Sequence, residues 1–327
     1  MAHEVESMFS ANRVVPWHGL GSVLPGYPNS REEVLTAAGL DWQVGEFPIT
    51  VELPDGTKID APDKKGIVRI TDSSLLSIMG QGYTPIQPYE LIDFALALLD
   101  VDEFRASDGP PPILFESGLS LSEGRVNVLT CKVPTDIRVG TIDPVELYLV
   151  FVNSHDGSLR FGVHATPIRV VCMNTLNASF KTAQQSWSCK HTPGATNSIS
   201  EARRTLNLTW LYAEAFQREM DALLEQEYTR RDFEKLVRDL FPKPAGERAP
   251  FSKEQYGMLG LLESSPTIGD DIRQTKYGAF NAVTEWWDWQ TRFNAGGPSV
   301  EEKRTAHVLF GKAKSHADKA FAYLSRS

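Results

Sequence analysis

Residues 150–176 read VFVNSHDGSLRFGVHATPIRVVCMNTL. Two apolar runs flank Asp156-Gly157, a pair suited to the positive φ of a tight turn, so the segment predicts an antiparallel hairpin. The first run continues a series of short strands upstream, over residues 103–106, 112–121, 125–134 and 145–153, with Ser122-Glu123-Gly124 as another hairpin turn. Residues 159–164 and 168–171 read as the final two strands and 174–182 as a short helix.

Working toward the N-terminus, Pro88 opens a helix with Leu91, Phe94, Ala95 and Leu98 on one face. Residues 42–51, 66–71 and 75–83 read as strands, and Pro54-Asp55-Gly56 as a turn. Ser30-Arg31-Glu32-Glu33 has the form of a capping box, opening a helix that ends near Gly39. The first 30 residues, with Trp17-His18-Gly19-Leu20-Gly21, predict a docked irregular arm.

Toward the C-terminus, residues 191–197 (HTPGATN) have the composition of a linker. Beyond them the apolar spacing becomes helical. Ile199, Ala202, Leu206, Trp210, Ala213, Phe216 and Met220 trace one helix of about eight turns. Further helices are expected over 231–240, 253–262, 276–293 and 300–324. The expected fold is α+β: a mainly antiparallel sheet with few helices over residues 1–192, and an all-helical part over 193–327 packed on or beside it.

The composition, 41% hydrophobic and 23% charged over 327 residues, is that of a globular chain. No apolar run approaches the roughly 20 residues of a membrane span, and the polar, acidic N-terminus does not read as a signal peptide. Three cysteines, Cys131, Cys172 and Cys189, are an odd number without close pairs. That points to buried thiols in a reducing compartment, hence a cytoplasmic protein with no membrane partner.

Net charge is −9, which disfavours a generic polyanion binder. The balance is uneven, however. Residues 1–192 hold 14 Lys and Arg against 23 Asp and Glu, while 193–327 hold 19 of each. Between Gly157 and Arg204 the bases Arg160, Arg169, Lys181, Lys190, Arg203 and Arg204 face a single acid, Glu201.

Motifs for chemistry are sparse. No glycine-rich nucleotide loop, His-Glu-X-X-His or Cys-X-X-Cys pattern occurs, so neither a cofactor nor a metal is expected. Cys172 with His155 or His164 admits a thiol-hydrolase reading, which would need a base within hydrogen-bond reach of the sulfur. The basic run suggests binding instead. The predicted hairpin puts Arg160 and Arg169 on neighbouring strands. Asn174 and Thr175 would cap the next helix, whose N-terminus attracts phosphate. Lys181, Lys190, Arg203 and Arg204 extend the charge, and Trp187 offers a ring on which a base could stack. A cationic groove with a stacking platform suits single-stranded nucleic acid. In Trp286-Trp287-Asp288-Trp289, successive side chains step about 100° around a helix, so at least one indole should face a second layer or a partner subunit. A homo-oligomer is expected on that ground.

Several segments carry a family resemblance: Trp17-His18-Gly19-Leu20-Gly21, residues 38–44 (AGLDWQV), residues 82–87 (GYTPIQ), residues 153–158 (NSHDGS), residues 169–176 (RVVCMNTL) and residues 277–285 (YGAFNAVTE). In this order they resemble the phage/plasmid-like protein family, domain of unknown function 932. The resemblance implies a mobile-element protein without established catalytic residues. The layout of its N-terminal half is similar to phage single-strand annealing proteins such as the RecT, Red-beta and ERF group, an analogy of fold that does not fix function. Two readings follow: a DNA-metabolism accessory protein that binds or anneals single-stranded DNA without sequence preference, or a non-enzymatic interaction module of a mobile element.

Overall fold

The computed structural model describes residues 7–11, 22–28, 30–99, 114–140, 143–169, 186–195, 199–246, 248–293, 300, 303–304, 307–308 and 311–326. The expected strand at 103–106 and helix at 174–182 lie outside them. Chain order begins with β1 (Ser7–Ala11), β2 (Ser22–Leu24) and α1 (Arg31–Ala38). A three-stranded antiparallel sheet follows, β3 (Val44–Glu52), β4 (Lys58–Arg69) and β5 (Ser74–Gly80), then α2 (Pro88–Leu99). Next come β6 (Leu114–Leu121), β7 (Val126–Val139), β8 (Asp143–Ser154), β9 (Phe161–Arg169) and β10 (Ser186–Cys189).

The antiparallel run β6 to β10 forms most of a seven-stranded sheet ordered β10-β9-β8-β7-β6-β1-β2. Its first turn is tight because Ser122, Glu123 and Gly124 all take positive φ, at 53, 58 and 87°. The Asp156-Gly157 connection also holds: Gly157 has φ 72° and Asp156 Oδ1 accepts from Ser158 N at 2.9 Å. Along β8, Leu147, Leu149 and Phe151 enter the main core, while Val150 and Val152 enter a smaller cluster with Leu119 and Val128. That alternation is the period of two of a strand covered on both faces.

Two expectations about strands are corrected. Part of the N-terminal arm is strand: β1 pairs with β6 in antiparallel fashion and with β2 in parallel, so the edge of β6 gains a backbone ladder. The two short strands expected at 159–164 and 168–171 are one strand, β9, which stays in register with β8 through Pro167 opposite Leu147. Among the described residues β10 pairs with Phe161–His164 and not with Pro167, where a missing N–H then costs no ladder bond.

The helical part comprises α3 (Ile199–Leu224), α4 (Arg230–Leu240), α5 (Lys253–Ser264), α6 (Asp270–Arg273), α7 (Lys276–Glu285), and α8 (Lys312–Leu324). Its aromatics share the core of the sheet: Tyr212, Phe216 and Phe280 belong to the cluster that holds Phe94 and Phe151. Polar bonds cross the same boundary. Tyr277 Oη donates to Asp143 Oδ2 at 2.7 Å, and Gly140 N donates to Asp221 Oδ1 at 2.8 Å.

Helix α7 is buried along its whole length. The expected helix over 276–293 stops being α-helical at Glu285, where Trp286–Gln290 forms a π-helical turn. Wider winding spreads the three indoles, and each finds an intramolecular partner. Trp286 fills the space over Gly257, Trp287 stacks on His316 with ring centroids 3.9 Å apart, and Arg304 lies over Trp289. These contacts give each ring a packing neighbour within the chain.

Two glycines one turn apart on α5 test this packing. A Cβ on Gly257 would lie 1.9 Å from the Trp286 ring, whereas one on Gly260 would meet nothing within 4 Å. Gly257→Ala should therefore destabilise by about 2 kcal/mol or more through overpacking. Gly260→Ala should be neutral or stabilise by up to about 1 kcal/mol through helix propensity. Denaturant midpoints of the two variants check the contrast.

Candidate nucleic-acid interface

The end of the large sheet where β8 turns into β9 carries a buried polar seam. Asn153, Ser154 and His155 have no exposed surface, and Asn127 on β7 is equally buried. Asn153 Nδ2 donates to Ile86 O at 2.8 Å, so its Oδ1 accepts from His191 Nε2 at 2.9 Å. This bond gives neutral His191 its proton on Nε2. Tyr83 stacks on the His191 ring at 5.0 Å and donates its phenol to Ser154 O at 2.7 Å.

On the other side Asn127 Nδ2 lies 3.1 Å from His155 Nε2, and Trp42 packs at 5.5 Å from the imidazole. Ser77 Oγ donates to His155 O at 2.5 Å, and Arg125 Nε to Leu76 O at 2.7 Å. These bonds dock the small sheet onto the turn. Residues 191–197 are accordingly not a free linker at their start. His191 is buried, and its carbonyl accepts from Thr84 N at 3.0 Å.

Burial dominates the titration of both imidazoles. It depresses His155 to about 3, with His191 adding to the effect and Asp156 opposing it, and His191 to about 4, again against Asp156. Both rings are therefore neutral near pH 7. Burial also raises the Tyr83 phenol. The His155 ring is enclosed, with Nε2 against Asn127 and Nδ1 buried without a hydrogen-bond partner among the described residues, a poor position for a general base. Cys172 lies outside the described residues. His164 is depressed to about 4 by burial, with Lys314 adding to the shift.

Above the seam the surface changes character. Arg160 and Lys190 are exposed. The last rung of the β9–β10 ladder joins Phe161 to Cys189, so the next residues outward, Arg160 and Lys190, lie side by side. Arg160 and Glu201 both act electrostatically on Cys189, which brings the first turn of α3 to the same end. Arg203 and Arg204 follow in its second turn.

The remaining expected residues divide. Arg169 pairs through its backbone with Val145 at the far end of β9. It is therefore not on a strand neighbouring Arg160 but about 30 Å along the same one, from nine residues at strand rise. The two arginines therefore do not sit side by side as the hairpin reading expected. Trp187 is 5% exposed, stacked on Phe94 at 5.4 Å with Phe161 edge-on at 6.3 Å. Its ring is a core element and is not free to take a base. Asn174, Thr175 and Lys181 lie outside the described residues, as do the side chains of Arg203 and Arg204.

Sequence reading did not find His191, Asn127 or Tyr83 as parts of one seam. Only the family-like segments GYTPIQ and NSHDGS marked two of its sides, and no local pattern sets His191 apart. Among the described residues no three His, Cys, Asp or Glu side chains come together as metal ligands, and no helix is long and apolar enough to cross a membrane.

The family model described as domain of unknown function (DUF932) matches residues 75–317, which include the seam, the basic end of β9 and α7. No curated protein and no solved structure matches the chain.

Because the folded pKa of His191 lies below the ordinary 6.5, the unfolded chain takes up its proton first as pH falls. The stability tied to this residue is full above about pH 6.5 and is lost toward pH 4. His191→Gln keeps a donor for Asn153 but does not titrate. It should reduce the wild-type loss of unfolding free energy between pH 7 and 4 by about 2 kcal/mol. Denaturant titrations of both proteins at the two pH values check this.

Proposed function

The chain belongs to the domain of unknown function 932 family, and on its own surface chemistry we propose that it binds the backbone of single-stranded DNA without sequence preference, as an accessory protein of phage or plasmid DNA metabolism. The observation that carries this reading is the adjacency of Arg160 and Lys190 beside the start of α3. Two cations at neighbouring strand positions are spaced to meet successive phosphates, and the N-terminal turn of a long helix adds a positive dipole end.

Contacts of this kind read charge and spacing, not base identity. With Trp187 buried, the site offers phosphate contacts and no indole platform, which leaves base edges free to pair with a second strand. That suits annealing better than sequestration. The net charge of −9 acts against non-specific retention elsewhere on the surface, so binding depends on this end of the sheet.

A labelled single-stranded oligonucleotide at about 50 mM salt, where phosphate contacts are strong, tests the reading by fluorescence anisotropy. The wild type should bind, and Arg160→Glu with Lys190→Glu should lose at least tenfold in affinity. A milder pair, Arg160→Gln with Lys190→Gln, should make the slope of log affinity against log salt shallower by about 1.4. Arg169→Glu should change little. An absence of wild-type binding at that salt, or an equal loss from Arg169→Glu, overturns the reading.

A further inference from the structure

The solvent face of an antiparallel sheet is normally its polar face. In the β3–β4–β5 sheet it is apolar. Phe47, Val51, Ile59, Ile70, Leu75 and Ile78 are each between 48 and 53% exposed. The pairings place them together: Val51 lies opposite Ile59, and Gly66 lies between Phe47 and Ile78. Glycines keep the face flat. The Phe47 and Ile70 side chains close over Gly45, while Ile49 and Leu75 close over Gly66.

Charge is concentrated on the reverse side, and the outward face carries Lys64, opposite Gly80, at its margin. Glu46 pairs with Lys65 at 2.8 Å, Arg69 with Asp72, and Thr50 Oγ1 donates to Asp60 Oδ1 at 2.8 Å. The alternation is therefore that of a two-sided strand whose outward set is hydrophobic. Both edges of the sheet are partly capped by side chains. Gln87 bonds Val44 N and O at 2.8 and 2.9 Å, and Arg125 bonds Leu76 O. An extended peptide adding to an edge would have to displace these bonds, whereas the face itself is open.

We infer that this face packs against the same face of a second copy of the chain, giving a two-fold dimer with two three-stranded sheets stacked about 10 Å apart. An apolar patch of this kind is complementary to itself under a two-fold axis, and a charged partner would gain nothing from its six hydrophobic side chains. Size agrees. Six half-exposed side chains of this bulk present roughly 500 Å² of apolar surface, near the upper limit for a patch on a monomer and most of the ~800 Å² each partner buries in a standard interface.

Sedimentation velocity of the full chain between about 1 and 100 μM, concentrations that bracket ordinary dimer affinities, provides the test. The wild type should sediment as a dimer. Phe47→Glu with Ile78→Glu should raise the dissociation constant at least a hundredfold, while Asp60→Lys on the reverse side should leave the mass unchanged. Near-ultraviolet circular dichroism confirms that the variants are folded. If the double variant does not fold, Val51→Lys near the distal hairpin replaces it. A monomeric wild type throughout the range, or a folded face variant with wild-type mass, overturns the inference.

Discussion

The side-chain amide of Asn153 must be satisfied away from water, and much of the sheet end is arranged around that requirement. A buried amide without partners costs about 1–3 kcal/mol. Here its two ends are taken by Ile86 O, ahead of α2, and by His191, just beyond β10. Those bonds join segments 67 and 38 residues away to the end of β8. Tyr83 closes the arrangement through Ser154 O and its stack on His191. Because His191 is held, Lys190 beside it is held too, and its approach to Arg160 follows from the β9–β10 register.

Such a seam is a poor catalytic centre and a good foundation. Burial keeps both imidazoles neutral over the ordinary pH range, so they serve as hydrogen-bonding groups more than as proton carriers. Charge meets solvent farther out, at Arg160 and Lys190, which are exposed. The opposite end of β9, at Arg169, pairs through its backbone with Val145 near the start of β8. A second seam, made by Tyr277–Asp143 and Gly140–Asp221, ties the helices to the far ends of β7 and β8.

Local patterns made most of the fold legible. A continuous apolar run marked β8, the Ser122-Glu123-Gly124 turn marked the β6–β7 hairpin, and three-to-four spacing marked α3. Reading failed where tertiary context overrode composition. The polar segment after β10 looks like a linker until Asn153 is seen to need His191. Trp187 carries an indole that could stack on a base until Phe94 and Phe161 are placed around it. The π-helical turn was hidden because winding from Trp286 onward is set by the Gly257 gap and the His316 stack, both distant in sequence. The apolar outer face of β3–β5 was present as alternation, but only the pairings show which set of side chains is left in water.

The central claim is that the basic end of β9, supported by the Asn153–His191 seam, meets a phosphate backbone. Amide hydrogen exchange with and without a single-stranded oligonucleotide examines it most directly. The account predicts added protection in peptides covering residues 154–162 and 186–204, with the β3–β5 sheet unchanged. Unchanged exchange in both segments, or protection centred elsewhere on the chain, would contradict it.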